Sequence, residues 1–436
     1  MRRVALHNLG CKVNSYETEA MEQLFKTAGY DIVPFAPGAD IYIVNTCTVT
    51  NIADRKSRQM LHKAKKMNPE AIVVATGCYV QTKKKEELDE AIDIAVGNNK
   101  KEDIIQILET YLNGQKPEQT ILDIGSEKRF ENKLILQGRH KHTRAYLKIQ
   151  DGCNRFCSYC IIPYARGRIR SKKPMDVIRE VEGLTAVGYQ EVVLTGIHLS
   201  SYGMDLDERN GLINIIEAVH RIDGVSRIRL GSLEPRIITA EFIERLKRLP
   251  KFCPHFHLSL QSGSDSVLAR MNRKYTTSEY AAGCELIRTA FPEAALTTDL
   301  ITGFPRETEE EHHETIRFVD SVDFAQTHIF KYSPREGTKA AVMEGQLSES
   351  VKNRRSRDLI ELGEKHSRGF RERFLGKIQA VLFEEEKVID GIRYQLGHTM
   401  NYLPVWVADE ENLENRIEDI CLERLDGENM IGRRKI

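Results

Sequence analysis

The sequence lacks any apolar run that approaches the length of a membrane-spanning helix, and its first residues, MRRVALHNLG, turn polar before a secretory stretch develops. It also lacks net charge, because 64 Lys and Arg balance 64 Asp and Glu, so overall charge favours no class of partner. Repeats and low-complexity tracts are missing as well. These absences argue against a membrane protein. With 41% hydrophobic residues, they predict a soluble, cytoplasmic globular protein.

The length of the chain predicts several domains, since 436 residues exceed what one compact core usually contains. Residues 1–117 alternate apolar strands with helical patterns, which predicts a parallel α/β sheet. After a linker at 118–138, residues 139–370 contain six strand candidates separated by helices, as in an open, partial (βα)6 barrel. Residues 371–436 contain short alternating strands that suit a small β-barrel. We therefore expect an α/β protein with three domains.

Three of the nine cysteines form a compact C-x3-C-x2-C group, Cys153, Cys157 and Cys160, directly after the first barrel strand. An odd cysteine count in a chain without a secretory signal favours metal or redox chemistry over disulfides. A zinc site that borrows His140 or His142 as its fourth ligand is one interpretation. An iron–sulfur cluster is the other, since three thiolates on a four-iron cube leave one iron open for chemistry.

A second group of three cysteines is spread along the first domain. Cys11, Cys47 and Cys78 each follow an apolar run, and parallel strands end at one common edge, so the three thiols could converge there. Gly10 and Gly77 beside them would let the backbone approach a cluster closely. Buried free cysteines are the alternative. The remaining cysteines, Cys253, Cys284 and Cys421, have no such neighbours and are interpreted as structural.

The C-x3-C-x2-C loop, with Tyr159 before its last cysteine, resembles the radical S-adenosylmethionine (SAM) superfamily. The resemblance implies that SAM chelates the open iron and is cleaved by one electron to a 5′-deoxyadenosyl radical. Polar or glycine-rich turns at the other strand ends would then contact SAM, although each alone could simply terminate a loop. The candidate SAM contacts are Tyr159, Thr195, Gly196, Ser232, Glu234, Ser259, Gln261 and Asp299.

Both cysteine triads, the barrel and the C-terminal β region together resemble the methylthiotransferase family over essentially the whole chain, with a C-terminal barrel of the TRAM type. This implies two catalytic [4Fe-4S] clusters, an auxiliary one on Cys11, Cys47 and Cys78 that carries sulfur and one on Cys153, Cys157 and Cys160 that cleaves SAM. One SAM methylates the sulfur, a second supplies the radical that abstracts hydrogen, and CH3S is transferred. Ordinary general bases would not open an unactivated C–H bond.

The stretch NLGCKVNSYETE resembles one branch of that family through Lys12, Val13 and Asn14. This branch modifies N6-threonylcarbamoyladenosine (t6A), 3′ of the anticodon in tRNA, to its 2-methylthio derivative. The resemblance implies tRNA, an electron donor and a sulfur donor as partners. Isopentenyladenosine in tRNA and a ribosomal protein remain alternative substrates. A non-catalytic, metal-containing RNA-binding protein is the alternative of a different class.

Local charge gives separate support for RNA binding. From Arg139 to Lys173, ten Lys and Arg accompany a single acid, Asp151, and the segment around Arg55 to Lys66 is also basic. Such runs are often only solvated faces, but beside an active site they could follow a phosphate backbone. The candidate RNA contacts are Arg166, Arg168, Arg170, Lys172 and Lys173.

The C-terminal region points less clearly to RNA, because residues 371–436 contain ten basic and fourteen acidic residues. Binding through a local patch or through the final GRRKI is one possibility, and positioning of protein is another. Aromatic rings could stack on bases, although core packing is the simpler role for most of them. The rings in question are Tyr394, His398, Tyr402 and Trp406.

Overall fold

The computed structural model of the chain describes residues 1–132 and 143–435. His140 and His142, the predicted zinc alternatives, lie outside these residues, as do Arg139 and the last part of the predicted linker. None of the helices in the two described ranges has the length and apolar character needed to cross a membrane. The fold is α/β with an N-terminal sheet, a central barrel and a C-terminal strand-rich domain, which confirms the predicted class. The limits of the three domains remain predictions.

The N-terminal sheet has five parallel strands in the order β2-β1-β3-β4-β5. Its strands are β1 Arg3–Asn8, β2 Asp31–Ile32, β3 Ile41–Thr46, β4 Ile72–Gly77 and β5 Ile94–Val96. Its helices are α1 Lys12–Thr27, α2 Asn51–Met67, α3 Cys78–Thr82 and α4 Ile104–Leu112. The strand order reverses direction between β1 and β3, and the crevice at that point is where open α/β sheets bind ligands.

The central domain is a partial barrel built from six parallel strands, with β7 added antiparallel to β6 at one edge. Its strands are β6 Arg144–Asp151, β7 Arg170–Ser171, β8 Glu191–Gly196, β9 Arg227–Leu230, β10 His255–His257, β11 Ala295–Thr302 and β12 Gln326–Lys331. Its helices are α5 Ile162–Arg166, α6 Pro174–Ala186, α7 Gly211–His220, α8 Ala240–Lys247, α9 Asp265–Arg270, α10 Thr277–Ala290, α11 Glu309–Val322 and α12 Glu349–Glu372. Two parallel bridges between residues 228–233 and 252–258 join the β9 and β10 edges.

Alternation along the barrel strands separates two faces. On β6, Ala145, Leu147 and Ile149 are buried in the same core cluster as Val177 and Val181 of α6. The intervening residues of β6, from Arg144 to Gln150, therefore point to the inside of the barrel, which we call the lumen. The lumen is polar, while the helix-facing layer contains the apolar core.

The C-terminal domain is a closed barrel in the order β13-β14-β15-β17-β16. Its strands are β13 Ile378–Ile389, β14 Ile392–Thr399, β15 Pro404–Ala408, β16 Ile417–Asp426 and β17 Asn429–Arg434. Of the final GRRKI, suggested above as one possible RNA contact, Gly432, Arg433 and Arg434 belong to the last strand. Arg434 Nη1 lies 2.6 Å from a carboxylate oxygen of Glu411, so this charge is neutralised within the domain.

The C-terminal barrel docks on the N-terminal ends of the central strands. Arg229 donates to the Met400 carbonyl at 2.9 Å, and Arg227 donates to the His398 carbonyl at 2.9 Å. The guanidinium groups of Arg144 and Arg229 lie 4.9 and 4.7 Å from the centroid of the Tyr402 ring. A cavity of about 610 Å³ lies beside this interface, between β10–β12, α12 and the C-terminal barrel. None of the described residues that line that cavity is a cysteine.

Candidate active site

The loop that carries Cys153, Cys157 and Cys160 leaves the carboxyl end of β6 through Gly152. Gly152 has a φ of +71°, and a Cβ there would lie 1.8 Å from the Arg168 carbonyl oxygen, so only glycine fits this turn. The Cys153 amide donates to the Gly167 carbonyl at 3.0 Å, and the Cys160 amide donates to the Cys157 carbonyl at 3.0 Å. The backbone therefore fixes the three cysteines at the end of the barrel where chemistry is expected.

Two arginines lie against these thiols. Arg273 Nη1 donates to Cys157 Sγ at 3.3 Å, and the Arg155 amide donates to Cys153 Sγ at 3.4 Å. Burial raises the pKa of Cys153 to about 11 and that of Cys160 to about 12. Cys153 and Cys160 are therefore protonated at neutral pH without metal, and metal binding must release their protons. Sequence reasoning missed both arginines, although Arg155 lies inside the cysteine motif.

The second triad forms at the switch point of the N-terminal sheet. Cys11 follows β1, Cys47 follows β3 and Cys78 begins α3 directly after β4. A Cβ on Gly10 would lie 3.0 Å from Cys47 Sγ, so the first two loops touch. Burial, followed by the charges of Cys78 and Cys11, raises the pKa of Cys47 to about 11 although a backbone hydrogen bond opposes it. The loops that carry the three thiols therefore lie at one edge of the sheet, and their joint role as cluster ligands stays a prediction.

Asn14 holds this second triad together. Its side-chain amide donates to the Leu9 carbonyl at 2.7 Å and to the Thr46 carbonyl at 3.1 Å, which ties the loops that carry Cys11 and Cys47. Its Oδ1 accepts from Arg166 Nη2 at 2.5 Å. The sequence marked Asn14 only through a motif, whereas the structure gives it a positioning role between two domains.

Helix α5 connects the two triads. It begins at Ile162, two residues after Cys160, and it packs against α3, which begins at Cys78. Between them, Asn98 Nδ2 donates to the Ala165 carbonyl at 2.7 Å and lies 3.7 Å from Cys78 Sγ. The structure thus joins the two cysteine groups through one short helix contact.

The spacing of the thiols distinguishes a cluster from a single ion. In neither triad do all three Sγ atoms lie within 4.8 Å of one another. Tetrahedral zinc, with Zn–S bonds of about 2.3 Å, would draw its thiolates closer together than this. A four-iron cube binds each thiolate at a different iron and so holds them farther apart. In each triad at least one pair of sulfurs is therefore wider apart than a single tetrahedral ion would hold it, and three thiolates are the donor set that leaves one iron of a cube open.

The candidate SAM contacts fall into different surroundings. Glu234 is buried and accepts from Arg155, next to the cysteine loop. Gln261 is also buried, with a φ of +73°, and its backbone pairs with that of β11. The Ser259 carbonyl accepts from Arg273 at 3.1 Å, while Ser232 is exposed. Tyr159 packs against an apolar cluster that contains Phe304, which suits a structural role.

The other candidates stand at strand ends or inside the lumen. Thr195 and Gly196 end β8, and a Cβ on Gly196 would lie 2.8 Å from Gln150, so the backbone there is closely packed. Asp299 lies inside the lumen, 3.2 Å from His257. Ligand atoms of Asp299, His257 and His328 all lie within 4.8 Å of one another, an arrangement that could hold a metal ion, although His257 and Asp299 already contact each other within it.

Three of the five predicted RNA contacts are not on the surface, so the prediction is wrong for them. Arg166, Arg170 and Lys172 are buried, because each neutralises an acid inside the protein. Arg166 pairs with Glu17 and Asp151, Arg170 with Asp151, and Lys172 with Glu180. Only Arg168 and Lys173 are exposed, and the Arg168 guanidinium lies 4.7 Å from the Phe156 ring.

Comparison with known proteins agrees with this arrangement. Residues 147–319 match the Radical SAM superfamily, and residues 3–97 match the Uncharacterized protein family UPF0004. A curated relative from Bacillus subtilis (strain 168), named Threonylcarbamoyladenosine tRNA methylthiotransferase MtaB, is 42% identical over 96% of this chain and 93% of its own. The chain belongs to the radical SAM methylthiotransferase family. The predicted family is thereby confirmed.

Another relative in this family, from Thermoanaerobacter sp. (strain X514), is named tRNA-2-methylthio-N(6)-dimethylallyladenosine synthase. It is 35% identical over 93% of this chain and 87% of its own. Among solved structures, the radical S-adenosylmethionine methyltransferase TsrM from Kitasatospora setae matches with a TM-score of 0.59 and 15% identity, covering 78% of this chain and 75% of that one. This last likeness supports the fold alone. The radical SAM family uses a [4Fe-4S] cluster and SAM.

Proposed function

We propose that the protein adds a methylthio group to C2 of t6A in tRNA. The observation that carries this proposal is the junction of two open cysteine triads through α5 and α3, since the reaction needs a radical source and a sulfur carrier side by side. The 42% identity to a relative named for this tRNA nucleoside supports the substrate. Lys12, Val13 and Asn14 support the same branch.

In this proposal Cys153, Cys157 and Cys160 hold one [4Fe-4S] cluster and Cys11, Cys47 and Cys78 hold another. When bound, the two clusters and SAM supply the electron, the radical and the sulfur. The Arg273 guanidinium offsets thiolate charge at Cys157, and the Arg155 backbone amide donates a hydrogen bond to Cys153. The strand-end groups around them orient SAM, and the proposed contacts are Thr195, Gly196, Ser232, Glu234, Ser259, Gln261 and Asp299.

The tRNA would approach over α2, which begins four residues after Cys47. Arg55, Lys56, Arg58 and Lys63 on this helix are exposed and form no ion pair within the described residues. A row of unpaired cations beside the proposed auxiliary cluster suits a phosphate backbone. Arg168 and Lys173 would extend this surface. Partners in the proposed reaction also include an electron donor and a sulfur donor, and the proposed location is the cytoplasm.

A second candidate substrate is isopentenyladenosine in tRNA, because a relative named for dimethylallyladenosine is 35% identical to this chain. Both candidates are adenosines that carry an N6 substituent, so the same arrangement of the two triads could act on either. They differ in that substituent, which makes the discriminating experiment direct.

The experiment uses protein reconstituted under anaerobic conditions with iron, sulfide, SAM and a reductant, and it supplies tRNA that carries either t6A or isopentenyladenosine. Nucleosides are separated and identified by mass spectrometry. We expect 2-methylthio-t6A to accumulate and about eight irons to bind per chain. Modification of isopentenyladenosine alone would move the assignment to that branch. Bound zinc without sulfide would favour a non-catalytic RNA-binding protein.

Two cysteine variants test the division of labour in the same assay. Cys157→Ala should abolish formation of 5′-deoxyadenosine, because it removes a thiol from the proposed SAM-cleaving site. Cys47→Ala should retain 5′-deoxyadenosine formation and lose the methylthio product. Cys284→Ala is the matched control, since this thiol lies in the apolar core. Loss of both products in both triad variants would contradict separate roles for the triads.

A further inference from the structure

Lys12 lies where the N-terminal sheet meets the barrel. It directly follows Cys11 and begins α1, so its backbone is fixed beside the second cysteine triad. Its ammonium group lies 5.8 Å from the centre of the Tyr146 ring, which belongs to the lumen face of β6. The side chain therefore extends from the triad into the lumen, and it is still exposed to solvent.

Several lumen cations near Lys12 are already neutralised. Arg144 pairs with Glu384 at 2.9 Å, Lys148 pairs with Glu17 at 2.7 Å, and Arg229 pairs with Glu191 at 2.7 Å. By contrast, Lys12 forms neither an ion pair nor a hydrogen bond through its ammonium group anywhere in residues 1–132 and 143–435. An anion that entered here would give the Lys12 ammonium the partner that these neighbouring cations already have.

The two candidate substrates differ in charge at the relevant position. The threonylcarbamoyl group joins threonine to N6 through its nitrogen and leaves the threonine carboxylate free, whereas a dimethylallyl group is a neutral hydrocarbon. Positions C2 and C6 of adenine flank the same ring nitrogen. When C2 of the base faces the second triad, the N6 substituent can reach the lumen beside Lys12.

We propose that Lys12 binds the free carboxylate of the threonylcarbamoyl group and so selects t6A over adenosines with neutral N6 substituents. This inference rests on the function proposed above and extends it to a specificity-determining residue. A lysine is suited to the role, because its compact ammonium can pair with a carboxylate in several orientations. The uncharged ring of Tyr146 would pack against the rest of the threonylcarbamoyl group.

The test compares Lys12→Met, Lys12→Arg and a control, Lys26→Met, which removes an exposed lysine from the last turn of the same helix. Each protein is assayed on two anticodon stem–loop RNAs, one with t6A and one in which the threonine carboxylate is replaced by a carboxamide. Methylthiolation rates, stem–loop affinity and bound iron are measured. The affinity measurement is needed because it reports on recognition independently of turnover.

We expect Lys12→Met to lower both kcat/KM and affinity on the carboxylate RNA by about tenfold to a hundredfold, the usual range for losing a charged hydrogen bond. On the carboxamide RNA the same variant should match the unmodified protein. Lys12→Arg should retain most of the activity, and all variants should keep their iron. Equal losses on both RNAs, or no loss on either, would overturn the role of Lys12. If the unmodified protein fails on t6A itself, the proposed function is wrong, which is a separate outcome.

Discussion

At the scale of single residues, Glu17 carries most of the buried charge at the junction between the first two domains. Its carboxylate accepts from Lys101 at 2.5 Å, from Lys148 at 2.7 Å and from Arg166 at 2.5 Å. Burial opposes ionisation of Glu17, but Arg166, Lys101 and Lys148 outweigh it and hold its pKa well below the usual value. One acid therefore orders three cations from three separate chain segments.

Glu17→Gln should destabilise the protein by about 3–5 kcal/mol at pH 7, because it leaves buried cations without their shared partner. The pKa of Glu17 is depressed in the folded protein, so its contribution is complete above the unfolded value of about 4.5 and disappears as pH falls below it. Denaturant titrations at pH 7 and in acid would measure the difference in free energy of unfolding between the variant and the unmodified protein. Glu70→Gln, at an exposed position, is the control. A difference in free energy of unfolding that stays the same in acid would contradict the prediction.

The sequence allowed both triads to be proposed: the compact spacing marked Cys153, Cys157 and Cys160, and the shared edge of parallel strands grouped Cys11, Cys47 and Cys78. It did not allow burial of Arg166 to be predicted. The partner of Arg166 lies 149 positions away in sequence, and a basic run looks the same whether its charges meet water or a distant acid. The charge pattern therefore identified these cations but wrongly placed Arg166, Arg170 and Lys172 on the surface.

At the scale of secondary structure, the turn from β4 into α3 sets the position of Cys78. Gly77 has a φ of +98°, and a Cβ there would lie 2.4 Å from the Thr46 carbonyl oxygen on β3. Any side chain would push β3 and β4 apart at the point where Cys47 and Cys78 emerge. The glycine is thus part of the geometry that brings these two thiols to one place.

Gly77→Ala should lower thermal stability and reduce bound iron from about eight to about four per chain, since only the second triad is displaced. Gly114→Ala is the matched control, because Gly114 also has a positive φ, +75°, yet nothing lies within 4 Å of its added Cβ. That control should lose only about 1–2 kcal/mol of its free energy of unfolding, because alanine disfavours the left-handed conformation, and it should keep its iron. Equal iron content in the two variants would show that the close contact at Gly77 does not matter.

The longer elements were predictable and the shortest were not. Strands β1, β3 and β4 are apolar runs bounded by polar or glycine residues, and the six barrel strands show the same signal. Strands β2 and β5 contain only two and three residues, too few for a recognisable period. Strand β17 contains Arg433 and Arg434, and its basic sequence does not show an alternating strand pattern. Its pairing with β16 follows from closure of the barrel.

At the scale of the whole molecule, the C-terminal barrel is attached by more than α12. The Tyr402 ring stacks on His398 with centroids 4.5 Å apart and also lies 4.9 Å from the His255 ring of β10. Together with the two arginines on its faces, these contacts place Tyr402 at the centre of the docking interface. Neither Tyr402 nor His398 is therefore free to stack on a nucleotide base, which corrects the sequence-based suggestion for both.

Tyr402→Ala should weaken docking by about tenfold, because it removes two cation–π contacts and one aromatic stack. Limited proteolysis between α12 and β13 should become correspondingly faster, while 5′-deoxyadenosine formation by the central barrel persists. Tyr394→Ala is the control, since this ring contacts Trp406 of the same C-terminal barrel at 5.8 Å. Unchanged proteolysis in the Tyr402 variant would show that the other interface contacts suffice.

The contacts between the N-terminal sheet domain and the barrel have a consequence for recombination among relatives. Because Asn14, Glu17 and Asn98 of the first domain meet Arg166, Lys148 and Ala165 of the second, neither half presents a generic surface to the other. A chimaera that takes residues before the barrel from one parent and the barrel from another inherits half of each contact. Such hybrids should assemble only when both parents supply matching partners at this seam, so substrate preference cannot be transplanted with the first domain alone.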